Sequence, residues 1–356
     1  MGHQDFPVVV LAAGSGTRML PLTRTTPKCL LPVLGTPLLV RIVEAFKGAG
    51  STKFVVVCSP GAKPAVESAI QIVGDVSYSI VTQDRPTGMS DALLLAQSSV
   101  PRGAASVIVT AADALFPPSR IASLVASHAE SGAEATLSVV RSDDAEMARG
   151  HGNFKLEGDR VLDVVEKPTK DQILGPHYSP PVYVFSQGFF ALLAGVPVSP
   201  RGERELQDAI KLAIDRGWDV RGVPLLDEDV TAATFGKHHL TTPRDLWLAN
   251  VARASEASKP QLDAYPTIIE PVHVAGNCIV DESCLVGPNA VLENANVGPY
   301  CEVSNSVLLS GATLGENCKV DRSIVAQDCE VPARTRLFEE LAYTDESGQF
   351  VRSKLE

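Results

Sequence analysis

The sequence of 356 residues predicts an α/β domain with a mostly parallel sheet, followed by a parallel β-helix. Two observations lead to this prediction. Through residue 254, short apolar runs of strand length alternate with segments whose apolar residues have helical spacing. Such alternation is typical of a parallel sheet with helices on both faces. From residue 268 onward, apolar residues recur every six positions, which is typical of the coils of a β-helix.

Each element of the α/β region is predicted from a local pattern. Apolar runs predict strands at residues 8–11, 54–58, 78–81, 106–112, 135–140, 153–156, 161–166 and 182–185. Helical spacing predicts helices at residues 64–73, 90–97, 119–131 and 203–216. Two further helices are expected after Thr36-Pro37 and Thr242-Pro243, with threonine as the cap and proline in the first turn. Ligands of such sheets bind beyond the carboxyl ends of the strands.

The stretch after the first strand, residues 11–32, reads LAAGSGTRMLPLTRTTPKCLLP. Gly14 and Gly16 would let backbone N–H groups approach an anion, because glycine has no Cβ. Arg18 and Lys28 add two positive charges. No Gly-Lys-Ser/Thr follows, and the third glycine of a dinucleotide fingerprint is missing. The stretch therefore predicts a phosphate-binding loop of another kind.

The spacing of these glycines with Arg18, Pro27 and Lys28 resembles the signature of the sugar-1-phosphate nucleotidyltransferases. The resemblance implies a Rossmann-like domain that transfers a nucleotidyl group from a nucleoside triphosphate to a sugar 1-phosphate. The products would be an NDP-sugar and pyrophosphate, formed by Mg²⁺-assisted in-line attack without a protein nucleophile. The catalytic residues that the resemblance implies are Arg18, Lys28 and Asp113, with Asp113 as the metal ligand.

The resemblance also assigns residues to the two substrates. The nucleotide-binding residues would be Leu11, Ala13, Gly14, Gly16, Thr17, Gln83 and Gly88. A glutamine can read a base edge because its amide both donates and accepts, and a glycine lets the backbone approach the ring. The sugar-phosphate-binding residues would be Gly152, Glu166 and Lys167. Here the glutamate would accept hydrogen bonds from sugar hydroxyls and the lysine would meet the phosphate.

Two positions depart from the family pattern. His239 occupies the position where the family has a second metal aspartate, and imidazole is a poor ligand for Mg²⁺. Asp227 or Asp229 could supply that ligand instead. The second departure is Ser179-Pro180-Pro181, where the family has an Asn-x-Gly that shapes the sugar pocket. The sequence therefore leaves the sugar and the nucleobase open.

Hexad spacing beyond residue 268 predicts about four coils of β-helix, left-handed by resemblance to the family. Cysteines at corner positions, four residues after ladder residues, are expected to pack as small hydrophobic residues without binding metal: Cys278, Cys284, Cys301, Cys318 and Cys329. The predicted boundaries are a nucleotidyltransferase domain at 1–254, a linker at 255–267, the β-helix at 268–338 and a tail at 339–356. Open ends of the β-helix predict a homo-oligomer.

Charge and composition exclude some classes of protein. A net charge of −11 argues against binding to nucleic acid or to an anionic membrane. The absence of a signal-peptide pattern and of a membrane-length apolar run predicts a cytoplasmic protein. Two other functions remain open: a non-catalytic regulatory or scaffold relative of the family, and an added acetyltransferase activity in the β-helix. The latter is disfavoured because His273, the only β-helix histidine, lies at its edge.

Overall fold

The structure is a computed structural model, and it describes residues 6–226, 229–256, 262 and 266–356. The chain forms two compact units. The first contains the described residues up to Ser15, then Lys28–Leu30 and Leu38–His239. The second contains Gly16–Pro27, Leu31–Pro37 and the described residues from Leu240 to Glu356.

The strands before residue 226 are β1 (Val8–Ala12), β2 (Pro32–Val33), β3 (Thr36–Pro37), β4 (Lys53–Cys58), β5 (Ser77–Thr82), β6 (Ser106–Ala111), β7 (Ala135–Arg141), β8 (Gly152–Glu157), β9 (Arg160–Glu166), β10 (His177–Tyr178), β11 (Val182–Ser186) and β12 (Val220–Pro224). The α-helices are α1 (Leu38–Gly48), α2 (Lys63–Gln71), α3 (Met89–Ala96), α4 (Pro118–Ser131), α5 (Phe190–Leu193), α6 (Leu206–Asp215), α7 (Ala232–Phe235) and α8 (Pro243–Arg253). Short 3₁₀ helices include Thr17–Met19, Lys28–Leu30 and Met147–Arg149.

A ten-stranded sheet organises the first unit, in the order β10-β8-β9-β12-β7-β11-β6-β1-β4-β5. The β6-β1-β4-β5 half is parallel, whereas β11 runs antiparallel to both β6 and β7. The apolar strands are buried as the sequence predicts, with Val9, Val57 and Val107 fully covered. The α/β prediction is therefore confirmed. The parallel half places the ends of β1 and β6 side by side, where ligands of such sheets bind.

The helix expected at Thr36-Pro37 begins later. These two residues form β3, which pairs antiparallel with β2, and α1 begins at Leu38. The intervening Leu34 and Gly35 have φ angles of 49° and 69°. Two successive positive φ angles are typical of a tight hairpin turn, so Thr36 continues into a strand instead of capping a helix. At α8 the prediction is correct, because the Thr242 side chain accepts a hydrogen bond from Asp245 N.

The second unit contains a parallel β-helix. Its strands are β13 (Thr267–Ile268), β14 (Val272–Ala275), β15 (Ile279–Val280), β16 (Leu285–Val286), β17 (Ala290–Glu293), β18 (Asn296–Val297), β19 (Glu302–Ser304), β20 (Val307–Leu308), β21 (Thr313–Leu314), β22 (Lys319–Asp321), β23 (Ile324–Val325), β24 (Glu330–Val331), β25 (Arg336–Phe338), β26 (Glu340–Thr344) and β27 (Phe350–Lys354). They form three sheets, β13-β16-β19-β22-β25, β15-β18-β21-β24 and β14-β17-β20-β23-β26-β27. The predicted ladders are present: Val286 pairs with Val303, and Val303 with Val320. The β-helix prediction is thus confirmed.

The last coil continues beyond the predicted end at residue 338. Leu341 and Ala342 of β26 pair with Ile324 and Val325, and β27 then folds back antiparallel on β26. Four of the corner cysteines are buried, and Cys278 is half-buried. The Cys301 thiol lies 3.1 Å from the Gly315 carbonyl oxygen, a contact that suits a packed structural thiol.

Two sequence predictions fall on parts of the chain that the structure covers incompletely. Most of the predicted linker corresponds to residues 257–261 and 263–265, which lie outside the described residues, as does Asp227.

Across the ranges that the structure describes, no helix combines the length and the apolar character needed to cross a membrane.

Candidate active site

Asp113 and Lys28 form the centre of the site in the first unit. Asp113 follows the end of β6, and Lys28 opens the 3₁₀ helix Lys28–Leu30. The Lys28 ammonium donates to Asp113 Oδ2, and both side chains are more than four-fifths covered. Burial alone would raise the pKa of Asp113, but the Lys28 ammonium and the adjacent His239 hold that pKa well below its usual range. The Asp113 carboxyl group is therefore ionised in the folded protein.

Two histidines complete this centre. A β-bridge between Ala114 and His239 brings the histidine beside the aspartate, and His239 Nε2 lies 3.2 Å from Asp113 Oδ1. The contact does not meet hydrogen-bond geometry, so Oδ1 is buried with no hydrogen-bond partner among the residues that the structure covers. On its other side, His239 Nδ1 lies 3.2 Å from His151 Nε2. Sequence reasoning missed His151, which no motif marks.

The donor set beside Asp113 does not match the two-carboxylate Mg²⁺ site that the resemblance implies. His239, an imidazole, stands in the second position, and Mg²⁺ prefers oxygen ligands. Asp229 pairs instead with Arg141 at the surface. Within the described ranges, no group of three or more His, Cys, Asp or Glu side chains could hold a metal ion. Any ion at Asp113 would need further ligands from a substrate.

A second polar pocket lies where β8 begins and β9 ends. Gly152 pairs with Glu166 across the two strands, and the Lys167 ammonium lies 3.4 Å from Glu166 Oε1. The Lys167 backbone is left-handed, with φ of 46°, and such strain in a residue other than glycine is common at functional sites. Burial raises the pKa of Glu166 to about 7, against the lowering effect of Lys167.

Gln207 on α6 belongs to this pocket, and sequence reasoning missed it. A Cβ on Gly152 would lie 3.0 Å from Gln207 Nε2 and 3.3 Å from Glu166 Oε2, so the three residues border one small space. Glu166 Oε2 and Gln207 Oε1 are both buried without a hydrogen-bond partner among the described residues. Glu166 Oε2 borders the space that Gly152 keeps open, and the unpaired Gln207 Oε1 belongs to a side chain that borders the same space. A ligand rich in hydroxyl groups would supply the donors that such acceptors lack.

The segment Ser179-Pro180-Pro181, which departs from the family pattern, is held by hydrogen bonds next to this pocket. Ser179 Oγ is hydrogen-bonded to Tyr183 Oη, and Ser179 N donates to Gly152 O at 3.0 Å. Burial raises the pKa of Tyr183, and its hydroxyl also receives a weak contact from Gln207 Nε2 at 3.5 Å. The segment thus lacks the Asn and Gly of the family pattern, but Ser179 still connects it by hydrogen bonds to Gly152 and Tyr183 beside the pocket.

The predicted base-reading residues lie after β5. Gln83 is buried, and its Nε2 donates to Thr87 Oγ1 at 3.2 Å. Gly88 has φ of 109°, and a Cβ there would lie 2.4 Å from Arg204 O. Gly88 is thus required for close packing against the Arg204 backbone, whatever it does towards a nucleobase. By contrast, nothing lies within 4 Å of a Cβ built on Gly14.

The glycine-rich loop is divided between the two units. Leu11, Ala13 and Gly14 follow or end β1 in the first unit, and the Leu11 carbonyl accepts from Ala112 N at 3.0 Å. Gly16, Thr17 and Arg18 belong to the second unit, where Gly16 O accepts from Thr23 Oγ1 at 2.8 Å. Within that unit, an open cavity of about 450 Å³ is lined by Arg18, Leu20, Pro243, Leu341, Ser353, Lys354 and Glu356.

Comparisons with known proteins agree with the fold. The chain is 25% identical over 283 residues to the bifunctional protein GlmU of Methanococcus maripaludis, covering 79% of this chain and 62% of the relative. It is 30% identical over 223 residues to glucose-1-phosphate thymidylyltransferase of Streptomyces griseus, covering 60% and 58%. The chain thus spans less than two thirds of the length of these curated relatives.

A solved structure of UDP-glucose pyrophosphorylase complexed with UDP-glucose superposes with a TM-score of 0.53, at 22% identity, covering 61% of this chain and 90% of that one. This likeness supports the α/β fold. The family model described as GMPPB C-terminal domain matches residues 268–346. The model described as Nucleotidyl transferase matches residues 7–230, more than half of the chain. The chain therefore belongs to the nucleotidyl transferase family.

Proposed function

We propose that this protein transfers a nucleotidyl group from a nucleoside triphosphate to a sugar 1-phosphate, releasing pyrophosphate and an NDP-sugar. One observation carries the proposal: the buried acceptors Glu166 Oε2 and Gln207 Oε1 have no partner among the described residues. Leaving a buried acceptor unpaired costs about 1–3 kcal/mol each, so a structure retains such groups most readily where a ligand completes them. Sugar hydroxyls are donors of the required kind.

The positive charges suit the two phosphate-bearing substrates. Lys167, beside Glu166, would meet the phosphate of the sugar 1-phosphate while the glutamate and Gln207 accept from its hydroxyls. Lys28 would neutralise charge on the transferring phosphoryl group. A catalytic role for Arg18 remains the prediction that the sequence resemblance makes. A sugar-phosphate oxygen attacks the α-phosphorus and pyrophosphate leaves, so the protein needs to position two anions but needs no nucleophile.

The same proposal assigns the remaining predicted residues to the nucleotide. Gln83 and Gly88 would lie along the base, and Leu11, Ala13 and Gly14 would line the phosphates and ribose. For Gly16 and Thr17, nucleotide binding remains the prediction that the sequence resemblance makes. Mg²⁺ is the cofactor that the resemblance predicts, but no step proposed here depends on it, because the donors beside Asp113 do not match a two-carboxylate site. The domain boundaries, a cytoplasmic location and a homo-oligomer also remain predictions, and sedimentation velocity of the full chain tests the last.

A pyrophosphate-release screen tests the proposal. The common nucleoside triphosphates are each combined with a panel of sugar 1-phosphates, in Mg²⁺ and in Mn²⁺. We expect one pair to give turnover that depends on both substrates. Glu166→Gln should raise KM for the sugar 1-phosphate more than KM for the triphosphate. Turnover that is independent of the sugar phosphate would contradict the proposal.

A second function has one specific observation in its favour. His239 stands beside Asp113 where the family has a carboxylate, and a centre occupied by Lys28 and His239 would suit a non-catalytic regulatory or scaffold relative. Such a protein would still bind an NDP-sugar or a sugar phosphate in the Glu166 pocket. Binding in calorimetry without turnover for any substrate pair would favour this second function.

A further inference from the structure

We propose that Glu293 of the β-helix and Asn250 of α8 are positioning residues for Lys28, because they hold the β2–β3 hairpin that follows it in the chain. The inference rests on the proposed function only in that Lys28 is taken to meet the transferring phosphoryl group.

The chain around Lys28 alternates between the two units. Lys28–Leu30 belongs to the first unit, whereas the segments on either side, Gly16–Pro27 and Leu31–Pro37, belong to the second unit with α8 and the β-helix. An extended chain spans at most about 3.5 Å per residue, so the four residues from Lys28 to the hairpin cover no more than about 14 Å. A shift of the hairpin is therefore passed to Lys28 through only a few bonds.

Asn250 holds the hairpin with its whole side-chain amide. The side chain is fully buried, and its Oδ1 accepts from Leu34 N at 2.8 Å. Its Nδ2 donates to Pro32 O at 3.3 Å and to Leu246 O, within α8, at 2.9 Å. An amide that uses its oxygen and its NH₂ group in this way fits in one orientation only. The helix thus fixes two backbone groups of the hairpin.

Glu293 holds the turn of the same hairpin from β17. Its side chain is buried, and Oε1 accepts from Gly35 N at 2.8 Å. The fit at Gly35 is close, because its φ is 69° and a Cβ there would lie 2.6 Å from Ala275 Cβ. Any larger residue at this position would push the turn away from β14. The β-helix therefore sets the position of the turn by a hydrogen bond and by close contact.

The segment before Lys28 is held by weaker contacts. Thr26 Oγ1 donates to Gln327 Oε1 at 3.0 Å, and Arg24 Nη1 donates to Thr344 O at 3.2 Å. Both hydrogen bonds are exposed, so water can replace them at little cost. The buried contacts after Lys28 are therefore the ones that we expect to fix its position.

A fixed charge acts on a transferring phosphoryl group only if its position is set before the reaction. A displacement of about 1 Å caused by a change far from the reacting atoms can lower a rate by about 100-fold. No sequence motif marks the two residues that prevent such a displacement here. Asn250 and Glu293 lie 216 and 258 residues from their partners in the hairpin.

Lysine acylation tests the proposal without any substrate. The full chain is treated briefly with N-hydroxysuccinimidyl acetate, and mass spectrometry gives the labelling rate of Lys28 relative to that of the exposed Lys211. Glu293→Ala and Asn250→Ala should each raise this ratio about 5-fold or more, because loss of a buried hydrogen bond favours local opening. Glu293→Gln keeps an acceptor for Gly35 N, so the ratio should stay within about 2-fold of the wild type.

Ser306→Ala is the matched control. Ser306 is buried in the β-helix, and its Oγ accepts from Ser323 N at 3.0 Å. The variant therefore removes a buried acceptor of a backbone N–H, as Glu293→Ala does, but away from the hairpin. The labelling ratio of Lys28 should not change.

A compensating pair of variants tests the close contact. Gly35→Ala adds a methyl 2.6 Å from Ala275 Cβ, and it should raise the labelling ratio as Glu293→Ala does. Ala275→Gly removes the opposing methyl, so the double variant should return part of the way to the wild-type ratio. The strain of a positive φ at residue 35 is present in both proteins, and their comparison therefore isolates the steric contact.

Kinetics supply the last measurement where turnover is found. Glu293→Ala should lower kcat about 10-fold, with KM for the sugar 1-phosphate within about 2-fold, because a displaced charge affects the transition state more than ground-state binding. The proposal is overturned if the labelling ratio is unchanged in Glu293→Ala or Asn250→Ala, if Ser306→Ala raises it equally, if Ala275→Gly gives no recovery, or if kcat is unaffected. Raised labelling of Lys28 in a protein that never releases pyrophosphate would keep the positioning role and reject the proposed transfer reaction.

Discussion

Two polar regions of the first unit differ in how strongly nearby positive charge offsets the burial of a carboxyl group. Around Asp113, Lys28 pairs with one oxygen, and the other lies beside His239 without a hydrogen bond from any described residue. Around Glu166, Lys167 lies near one oxygen, while the other oxygen and the Gln207 carbonyl oxygen have no partner within the described ranges. The charges beside Asp113 outweigh the effect of burial on its pKa, whereas burial outweighs the effect of Lys167 on the pKa of Glu166.

This difference should affect the free energy of unfolding, and the pKa values of the two carboxyl groups indicate in which direction. Opposite charge keeps the pKa of Asp113 below its usual range, whereas burial raises the pKa of Glu166 to about 7. Removing a charge near Asp113 should therefore destabilise the fold, because it leaves a buried anion alone. Replacing a polar side chain near Glu166 by an apolar one should change the free energy of unfolding little and should weaken ligand binding instead.

The largest effect is expected for Lys28→Ala. Truncation leaves the Asp113 carboxylate buried without its ion pair, which commonly costs about 3–5 kcal/mol of the free energy of unfolding. If the transfer reaction is established, kcat/KM should also fall by about 100-fold or more, because fixed charges at a transferring phosphoryl group supply a few kcal/mol. Urea denaturation and steady-state kinetics measure the two effects.

Lys211→Ala is the matched control for stability. Lys211 pairs with Asp163 and Asp215, but its side chain is 41% exposed. Exposed ion pairs contribute at most about 1 kcal/mol. Equal losses of stability in Lys28→Ala and Lys211→Ala would show that Lys28 does not compensate a buried charge on Asp113.

The next effect is a pH dependence of stability that Glu166 introduces. Its pKa rises from an ordinary 4.5 to about 7 in the folded protein. The folded state therefore holds a proton that the unfolded chain releases. The resulting stability is fully present below the unfolded pKa and is lost as the pH rises through about 7, a change of about 3 kcal/mol. Denaturation at several pH values measures it.

Glu166→Gln isolates this contribution, since glutamine does not titrate. The wild type should lose more stability than the variant between pH values near 4.5 and 7, and the difference between the two curves should approach the value above. Parallel curves for the two proteins would mean that Glu166 titrates normally and that its pocket is open to water.

The fold was largely predictable from the sequence, because burial acts on apolar residues at regular spacing. The alternation of strands and helices and the six-residue ladder of the β-helix are both present. The prediction of a helix start at Thr36-Pro37 was wrong because the same Thr-Pro sequence is compatible with the first turn of a helix and with a short hairpin strand. Only the two positive φ angles at Leu34 and Gly35 decide between them.

The site was less predictable, because its decisive contacts are not local. His151 and His239 meet through the tertiary fold, and no spacing marks the pair. Gln207 follows Leu206 on α6, and a polar residue on an amphipathic helix would ordinarily be assigned to the solvent face. In the structure its side chain is buried beside Gly152. Sequence motifs were enough to predict which segments form the site. The charge state and hydrogen bonding of its side chains could be found only from the three-dimensional contacts.

A smaller effect, confined to binding, is expected for Gly152→Ala. The added methyl would lie 3.0 Å from Gln207 Nε2 and 3.3 Å from Glu166 Oε2, occupying part of the space between them. KM for a sugar 1-phosphate should rise about 10-fold, while KM for the triphosphate stays within about 2-fold. A rise of both constants by the same factor would indicate a general distortion of the β8–β9 edge and not a blocked sugar site.

The smallest change in stability is expected for Gln207→Leu, and it tests the comparison most sharply. Leucine has a similar volume and no polar atoms, so the variant removes the unpaired Oε1 acceptor and loses only the weak 3.5 Å contact to Tyr183 Oη. Tyr183 keeps its hydrogen bond to Ser179, so no new unpaired group is created there. The free energy of unfolding should therefore change by less than about 1 kcal/mol, in either direction. Binding of a sugar 1-phosphate, followed by calorimetry, should weaken by about 10-fold or more, because a hydroxyl would lose its acceptor. A loss of stability as large as that of Lys28→Ala would mean that Gln207 already has a structural partner, so that its Oε1 is not available to a ligand.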